Sequence, residues 1–555
     1  MAERNSLSWL EEIPCELQKE VLTCFKGRLV DLCAAALVSK KWNFIVTPFI
    51  WYAPVFSSPQ ALELFRAQIQ RNEKVGKYVK KLNIIDKYFE SAEEILEMLD
   101  YLPELESIKL PFISPSYMTE LWLASVVKGL PKLRYVSYLD TRNVTSDCLE
   151  EMIQVLKSTK SLAELKFICS DRMVSTQRTE QYQAQLTPFV NLTRLHLNLA
   201  TVDPDFFSNL MPFLPNLQCF VLKTYQVPNN VLSLMSTHCL HLESLRFHVG
   251  SLRTSPLIEE LVEHQLLKLS SLILGFDEAT MISRKVFEGL LSSYGGRLKR
   301  LTLCNVLLEV EDVDILSKYL TRELVELEIK NVDAPNSRMY EHYIAWKGLF
   351  TKCGVNLTNL TLNGGICNND RFGELIGVFC TNLRKLSLLD NQAHDSMLVP
   401  LLRHVGNTLN ELNIGQNRIT SNIFEILARY CTNLRSIHIQ YPENEKINVT
   451  LLKNYLKSCG NRLTDLNLAG WEVDDGILEL LQRYAPNLHT AYLPNTLTLK
   501  SLDSFRNKAK YLNHLEVWDL PYDTLFDHQI ASWIYDRKFA IWEYSLSEHT
   551  SWYMV

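Results

Sequence analysis

Along most of this chain one short figure recurs: an apolar residue, two variable ones, a second apolar residue, one variable, and a third apolar residue. Clear copies are LTRLHL from Leu192, LESLRF from Leu242, LKRLTL from Leu298, LVELEI from Leu324, LTNLTL from Leu357, LRKLSL from Leu383, LNELNI from Leu409, LRSIHI from Leu434 and LTDLNL from Leu463. Weaker copies begin at Val79, Leu105, Leu133, Leu162, Leu217, Leu269, Leu488 and Leu512. The middle apolar residue falls at 82, 108, 136, 165, 195, 220, 245, 272, 301, 327, 360, 386, 412, 437, 466, 491 and 515, a period of about 27. The end of each copy alternates apolar and polar, as a short strand with one buried face does. A loop and an apolar-periodic helix follow, as in Ile423, Ile426, Leu427 and Tyr430, or Ile477, Leu480, Leu481 and Tyr484. Such a unit cannot bury its apolar face alone, so neighbours must stack. Strands stack at about 4.8 Å and helices at about 8–10 Å, which forces curvature. The predicted fold is therefore α/β: a curved solenoid, a horseshoe of about 17 repeats, with parallel strands on the concave face and helices on the convex face.

The first fifty residues follow another rhythm. Pro14 suits the first turn of a helix, and Leu17, Val21, Leu22 and Phe25 form one stripe that Gly27 can end. Leu29, Leu32, Cys33, Ala36 and Leu37 make a second stripe. Ser39 offers a cap for a third helix, with Trp42, Ile45, Val46, Phe49 and Ile50 on one face and Pro48 expected to kink or break it. A segment this short rarely buries enough surface to fold alone. Trp42 and Trp51 sharpen the point, because each indole carries roughly 4–6 kcal/mol of gross burial free energy.

The order of these residues resembles the F-box: Ile13-Pro14-Cys15-Glu16-Leu17, then Asp31-Leu32, then Val38-Ser39-Lys40-Lys41-Trp42, and a closing Ile50-Trp51. Ile13 stands where the family usually has leucine. The resemblance covers about 7% of the chain. It implies docking on the Skp-family adaptor of an SCF ubiquitin ligase, and through it on cullin and a RING protein. The adaptor contacts it implies are Ile13, Pro14, Leu17, Leu22, Leu32, Val38, Trp42, Ile50 and Trp51. Several predicted helices end in a cysteine just before the next leucine core, at Cys239, Cys380, Cys431 and Cys459. This resembles the cysteine-containing class of leucine-rich repeats, which often accompanies F-boxes. That family's asparagine after the core is clear only at Asn391 and Asn417; Gly365 and Trp471 stand at corresponding places. The phrases around 49–56 and 76–82 look similar to fungal F-box proteins. The expected organisation is an F-box at 9–51, a packed helical junction at 52–78, repeats at 79–520, and an aromatic-rich cap at 521–555 containing Trp533, Trp542 and Trp552.

Composition narrows the function by exclusion. The chain has 555 residues, 47% hydrophobic and 22% charged, with a formal net charge of −6 spread without blocks. Nothing marks a nucleic-acid footprint, no apolar run could span a bilayer, and the start lacks a signal peptide. The 13 cysteines include no C-x-x-C pair, which excludes the usual zinc spacing and reads as reduced thiols in the cytosol or nucleus. Five N-x-[ST] triplets, at Asn143, Asn191, Asn356, Asn359 and Asn448, read as accidents of composition. No phosphate loop, H-E-x-x-H helix or G-x-S-x-G elbow occurs. No cofactor, metal or catalytic set is expected.

The functional expectation is a non-catalytic substrate receptor, a monomer within a hetero-complex, that delivers a target protein for ubiquitin-dependent proteolysis. The alternative is a binding scaffold that assembles no ligase. Target contacts are expected on strand positions facing the concave side: Arg194, His196, Arg246, Lys385, Asn413, His438, Asn467 and Tyr492, with Trp471 and Trp518 just past their strands. Arg, Trp and Tyr are frequent anchors of interfaces.

Overall fold

A computed structural model of the chain describes residue 22 and residues 29–56, 58–84, 92–110, 126–140, 152, 155–172, 188–202, 204–228, 230–250, 255–330, 339–365, 370–441, 446–494, 496–509, 511–512 and 514–517. Ile13, Pro14, Leu17, Gly27, Trp518 and the expected cap at 521–555 lie outside the described residues.

Two compact units divide the chain between Leu242 and Glu243. The first opens with the helices Leu29–Ala36 and Lys40–Ile50. Ser39 caps the second of these: its hydroxyl accepts the Trp42 amide at 3.2 Å. Leu22, Leu32, Ala36, Ile45 and Val46 make the interior, with Trp42, Phe49 and Ile50 half-buried against it. The helix runs through Pro48 to Ile50, contrary to the break expected there. Thr47 and Trp51 supply helical hydrogen bonds around it: the Thr47 hydroxyl donates to the Asn43 carbonyl and the Trp51 amide to the Thr47 carbonyl. Cys33 and Leu37, expected in the buried stripe, face outward. An eight-residue helix has room for one inward edge only, and Leu32 and Ala36 take it.

Next comes the helix Pro59–Arg71, capped by Ser58 and carrying proline at its first position. Leu62, Phe65 and Ile69 point inward, while Leu64 is exposed. Phe65 receives Trp51 at 5.9 Å and Phe56 at 5.0 Å between ring centroids. After the short helix Glu73–Tyr78 the repeats begin.

The strands of the first unit are β1 (Lys81–Asn83), β2 (Ser107–Leu110), β3 (Tyr135–Asp140), β4 (Glu164–Arg172), β5 (Arg194–Thr201) and β6 (Cys219–Thr224). Those of the second are β7 (Ser244–Val249), β8 (Ser271–Met281), β9 (Arg300–Leu307), β10 (Glu326–Lys330), β11 (Asn359–Leu362), β12 (Lys385–Ser387), β13 (Glu411–Asn413), β14 (Ser436–His438), β15 (Asp465–Asn467), β16 (Thr490–Leu493) and β17 (His514–Val517). Within each unit every strand pairs parallel with the next in sequence. One in-register column runs Leu82, Ile108, Val136, Leu165, Leu195, Phe220. Its counterpart runs from Leu245 through Leu301, Leu360 and Leu412 to Leu515. These columns are the seventeen middle positions read from the sequence, and the fold is the α/β repeat solenoid they predict. Register bulges occur between Cys169 and Arg172 and between Gly275 and Thr280, both in the longer strands before β10.

The stacking rests on the backbone. Within each unit, carbonyls just before the strands accept amides from the next repeat, typically two: Lys80 O takes Glu106 and Ser107 N, and Thr358 O takes Arg384 and Lys385 N. Tyr52 O begins the series by taking Lys80 and Lys81 N at 3.0 Å each. Thus the chain just after Trp51 already acts as a rung of the solenoid. A second ladder uses the asparagine before the first core leucine. Asn191, Asn216, Asn356, Asn382, Asn433 and Asn487 each donate a side-chain N–H to a carbonyl one repeat back. Asn191 and Asn356 belong to N-x-T triplets, and Asn448 of a third caps the helix Val449–Cys459; their side chains serve the frame.

Candidate functional site

Two kinds of surface could carry function: one on the helical segment, the other on the repeats of each unit. On the helical segment, Leu37 is 86% exposed, Phe44 75% and Val38 51%. An apolar group of this size, two residues on the turn between the helices and one on the helix that follows, is what a binding surface offers, whereas single exposed apolar residues need no explanation. Of the adaptor contacts expected from the sequence, Val38 belongs to this surface. Trp42 and Ile50 are half-buried against the helical core, and Trp51 packs on Phe65. Leu22 and Leu32 are interior, each 2% exposed, and so hold the helices together instead of facing a partner. Helical spacing finds a stripe but not which way it points. For that reason the sequence reading put Leu37 in the inward stripe and passed over Phe44.

The second surface is the face of the sheet opposite the helices. On that face, residues beside the core leucines form rows from strand to strand. In the first unit Arg194 lies 3.7 Å from Glu164, and His196 4.0 Å from the same carboxylate. In the second, Arg300 pairs with Glu326 at 3.1 Å and Lys385 with Glu411 at 2.7 Å. Arg246 is exposed on β7, two residues before His248, which meets Asp277 at 2.6 Å. Cations expected to specify a ligand are thus in good part answered by acids from the neighbouring repeat.

From β13 to β17 the face changes character. Successive strands present Asn413, His438, Asn467, Tyr492 and Glu516 in one register row. Asn413 Oδ1 accepts the Gly415 amide at 3.2 Å, and Asn467 Oδ1 the Ala469 amide at 3.0 Å. His438 Nε2 lies 3.1 Å from the Ser436 hydroxyl. Burial holds its imidazole below the usual histidine range, against the pull of Asp465 and Glu411. The Tyr492 ring stands 6.4 Å from His438 and 5.0 Å from His514, forming a short aromatic run.

Three residues past His438 the backbone is unusual. Tyr441 has φ of 54° and Gln416 of 53°, both left-handed, where glycine is favoured. The same step of the turn carries Asp390 at 56°, Gly364 at 90° and Gly470 at 80°. Gln440 is 8% exposed, and its amide lies flat on Gly415, where a Cβ would come within 2.4 Å of its Cδ. Tyr441 covers Gly470 in the same way, at 2.6 Å. Gln440 Oε1 has no hydrogen-bond partner. No local signal in the sequence marks this arrangement, since it needs two glycines about one repeat to either side.

Trp471 does not reach the rim. It is 1% exposed, and its indole N–H donates to the Ile439 carbonyl at 2.6 Å. Asn391 and Asn417 donate in the same way to the Leu362 and Leu388 carbonyls, the corresponding atoms of their preceding repeats. Trp471 therefore performs the asparagine's task with a larger side chain, packed 5.8 Å from Phe424.

The helix-end cysteines are interior, and so is Cys304 on β9. Burial pushes the Cys239 and Cys353 thiols up to about 12 and Cys304 to about 11, and raises Cys380, Cys431 and Cys459 as well. Such thiols are unreactive. Among the described residues no group of three or more His, Cys, Asp or Glu could hold a metal ion, and no helix is long and apolar enough to cross a membrane.

No protein-family profile matches the chain, and no curated protein matches it. Among solved structures, the chain is similar to the Rad7 and Elc1 complex of yeast at 15% identity, over 87% of this chain and 94% of that one, with a TM-score of 0.40. It is also similar to the leucine-rich repeat-containing protein LegL7 of Legionella pneumophila at 13% identity, over 53% of this chain and 89% of that one, with a TM-score of 0.31.

Proposed function

We propose that the chain is the substrate-recognition subunit of an SCF-type ubiquitin ligase, docking on a Skp-family adaptor through its helical segment and on a target protein through the open face of its repeats. The observation that carries this reading is the exposed apolar group Leu37, Val38 and Phe44, set on a segment whose sequence resembles the F-box. Such a surface stays in water only at a cost, roughly 25 cal/mol per Å² of apolar area, which a partner removes. The rung formed by Tyr52 ties this segment directly into the first repeat, as a receptor that holds its cargo in place requires. Catalysis in this scheme is proximity supplied by the assembly, and the chain brings no reacting group.

Purified adaptor tests the assignment. Wild-type chain should retain it, and Leu37→Asp with Phe44→Ser should lose it while the repeats keep their thermal transition. An adaptor that binds neither protein sinks the reading. The second reading, a scaffold that assembles no ligase, predicts adaptor binding without cullin in co-purification from cell extract.

A further inference from the structure

We propose that the strip over β13–β17 is a built recognition site for an unphosphorylated, donor-rich peptide segment. The proposal deepens the target-binding role above and rests on it.

Three observations converge on this patch. First, its centre is neutral and polar: Asn413, His438, Gln440 and Asn467, with Tyr492 beside them. Second, the charge around it is acidic. Asp465, Glu411 and Glu516 border the row, Lys385 is held by Glu411 at 2.7 Å, and the imidazole of His438 is disfavoured as a cation. A phosphate placed here would meet carboxylates and no uncommitted lysine or arginine among these groups, so like-charge repulsion excludes it. Third, Gln440 Oε1 is a buried acceptor with no donor. An orphan of this kind is costly, and each one in a folded protein calls for an explanation.

The geometry supplies the explanation. The Gln440 amide lies against Gly415, where no side chain blocks it. A turn of its side chain off that glycine carries the amide oxygen to the open face. There a ligand N–H completes it, and the cost of the orphan becomes binding free energy. Peptide amides and the side chains of Asn, Gln and Lys are the donors that fit, and the Tyr492 ring with its flanking imidazoles gives a flat surface for the intervening apolar atoms. The left-handed Tyr441, pressed on Gly470, fixes the backbone that aims Gln440.

The test is a random phage-displayed peptide library panned on the full chain without adaptor, followed by affinity measurement of a recovered peptide. The recovered sequences should be neutral or basic. Affinity should fall about tenfold for Gln440→Met and for Tyr492→Ala, and remain unchanged for Arg429→Ala on the outer helices. A phosphoserine in the peptide centre should weaken binding by about tenfold or more. For a neutral peptide, raising salt from about 50 to about 500 mM should change it little, since no net charge pairing is involved. Absence of any enriched peptide, enrichment of acidic ones, tighter binding of the phosphorylated form, or unchanged affinity in both site variants overturns the site. Adaptor retention is read separately: its loss with peptide binding intact removes the ligase reading and leaves this site standing.

Discussion

Changing Trp471 to Phe should destabilise the second unit by about 1–3 kcal/mol in urea denaturation, because the Ile439 carbonyl loses its buried donor. Trp471→Asn restores a donor but leaves a void, and should cost about 3–5 kcal/mol. A pure contact residue would show neither loss. The cysteines give a second prediction at this scale. Iodoacetamide at mildly alkaline pH, read by peptide mass spectrometry, should label exposed Cys33 in the native protein and leave Cys239, Cys353, Cys380 and Cys431 unmodified until unfolding. A third concerns pH. Hydrogen bonds from Lys132, at 2.5 Å, and Lys80, at 2.9 Å, hold the Glu104 carboxyl down to about 2. A depressed carboxyl stabilises the fold above its unfolded pKa and loses that contribution as pH falls. Glu104→Gln should therefore narrow the gap between unfolding midpoints at pH 6 and pH 3, and an unchanged gap contradicts the assignment. Trp471 also marks a limit of legibility: the sequence places it beside the asparagine positions, but no pattern says that an indole N–H can replace a carboxamide.

At the level of elements, the helix Asp370–Phe379 lies against Asp395–Val405 through two glycines one turn apart. A Cβ at Gly373 would stand 2.1 Å from the Met397 carbonyl oxygen, and one at Gly377 3.1 Å from the His404 ring. Gly373→Ala should thus force the helices apart and cost about 1–3 kcal/mol, whereas Gly377→Ala should cost less because an imidazole can yield. Calorimetric midpoints of the two variants distinguish them, and equal shifts would refute the packing argument. The core position of each strand was legible to the residue because period-two alternation around a leucine leaves one register that buries it, whereas the length of β8, Ser271–Met281, was not. Short N-terminal helices were not. Leu32 and Leu37 are equally apolar, and only tertiary packing turns the first inward and the second out. Likewise Pro48 sits in a helix whose side chains and flanking bonds carry it past the missing amide.

For the whole molecule, the division at Leu242 and Glu243 means that unfolding need not be one event. Repeat arrays add local stabilities and nearest-neighbour terms, and a chain of this size is not bound to two-state behaviour. Thiol exposure in urea should report Cys239 and Cys431 with different midpoints; a shared midpoint would show one cooperative body. The number of repeats and their spacing were readable from the leucines, since stacking demands a fixed period. The recognition strip was readable only in part. Asn413, His438, Asn467 and Tyr492 follow from strand alternation, but Gln440 depends on Gly415 in another repeat.

The doubled acceptor at each rung is a peptide group and so carries no side-chain identity. Thr358 O serves Arg384 and Lys385, and Arg384 O serves Asn410 and Glu411 in the same manner. Excising residues 384–409 would deliver the Thr358 carbonyl to Asn410 and Glu411 with the leucine column intact. The architecture is thus modular in units of whole periods and intolerant of fractions: loss of one complete turn of the solenoid should leave a folded, shorter protein, whereas loss of a single strand residue should shift every side chain beyond it to the wrong face.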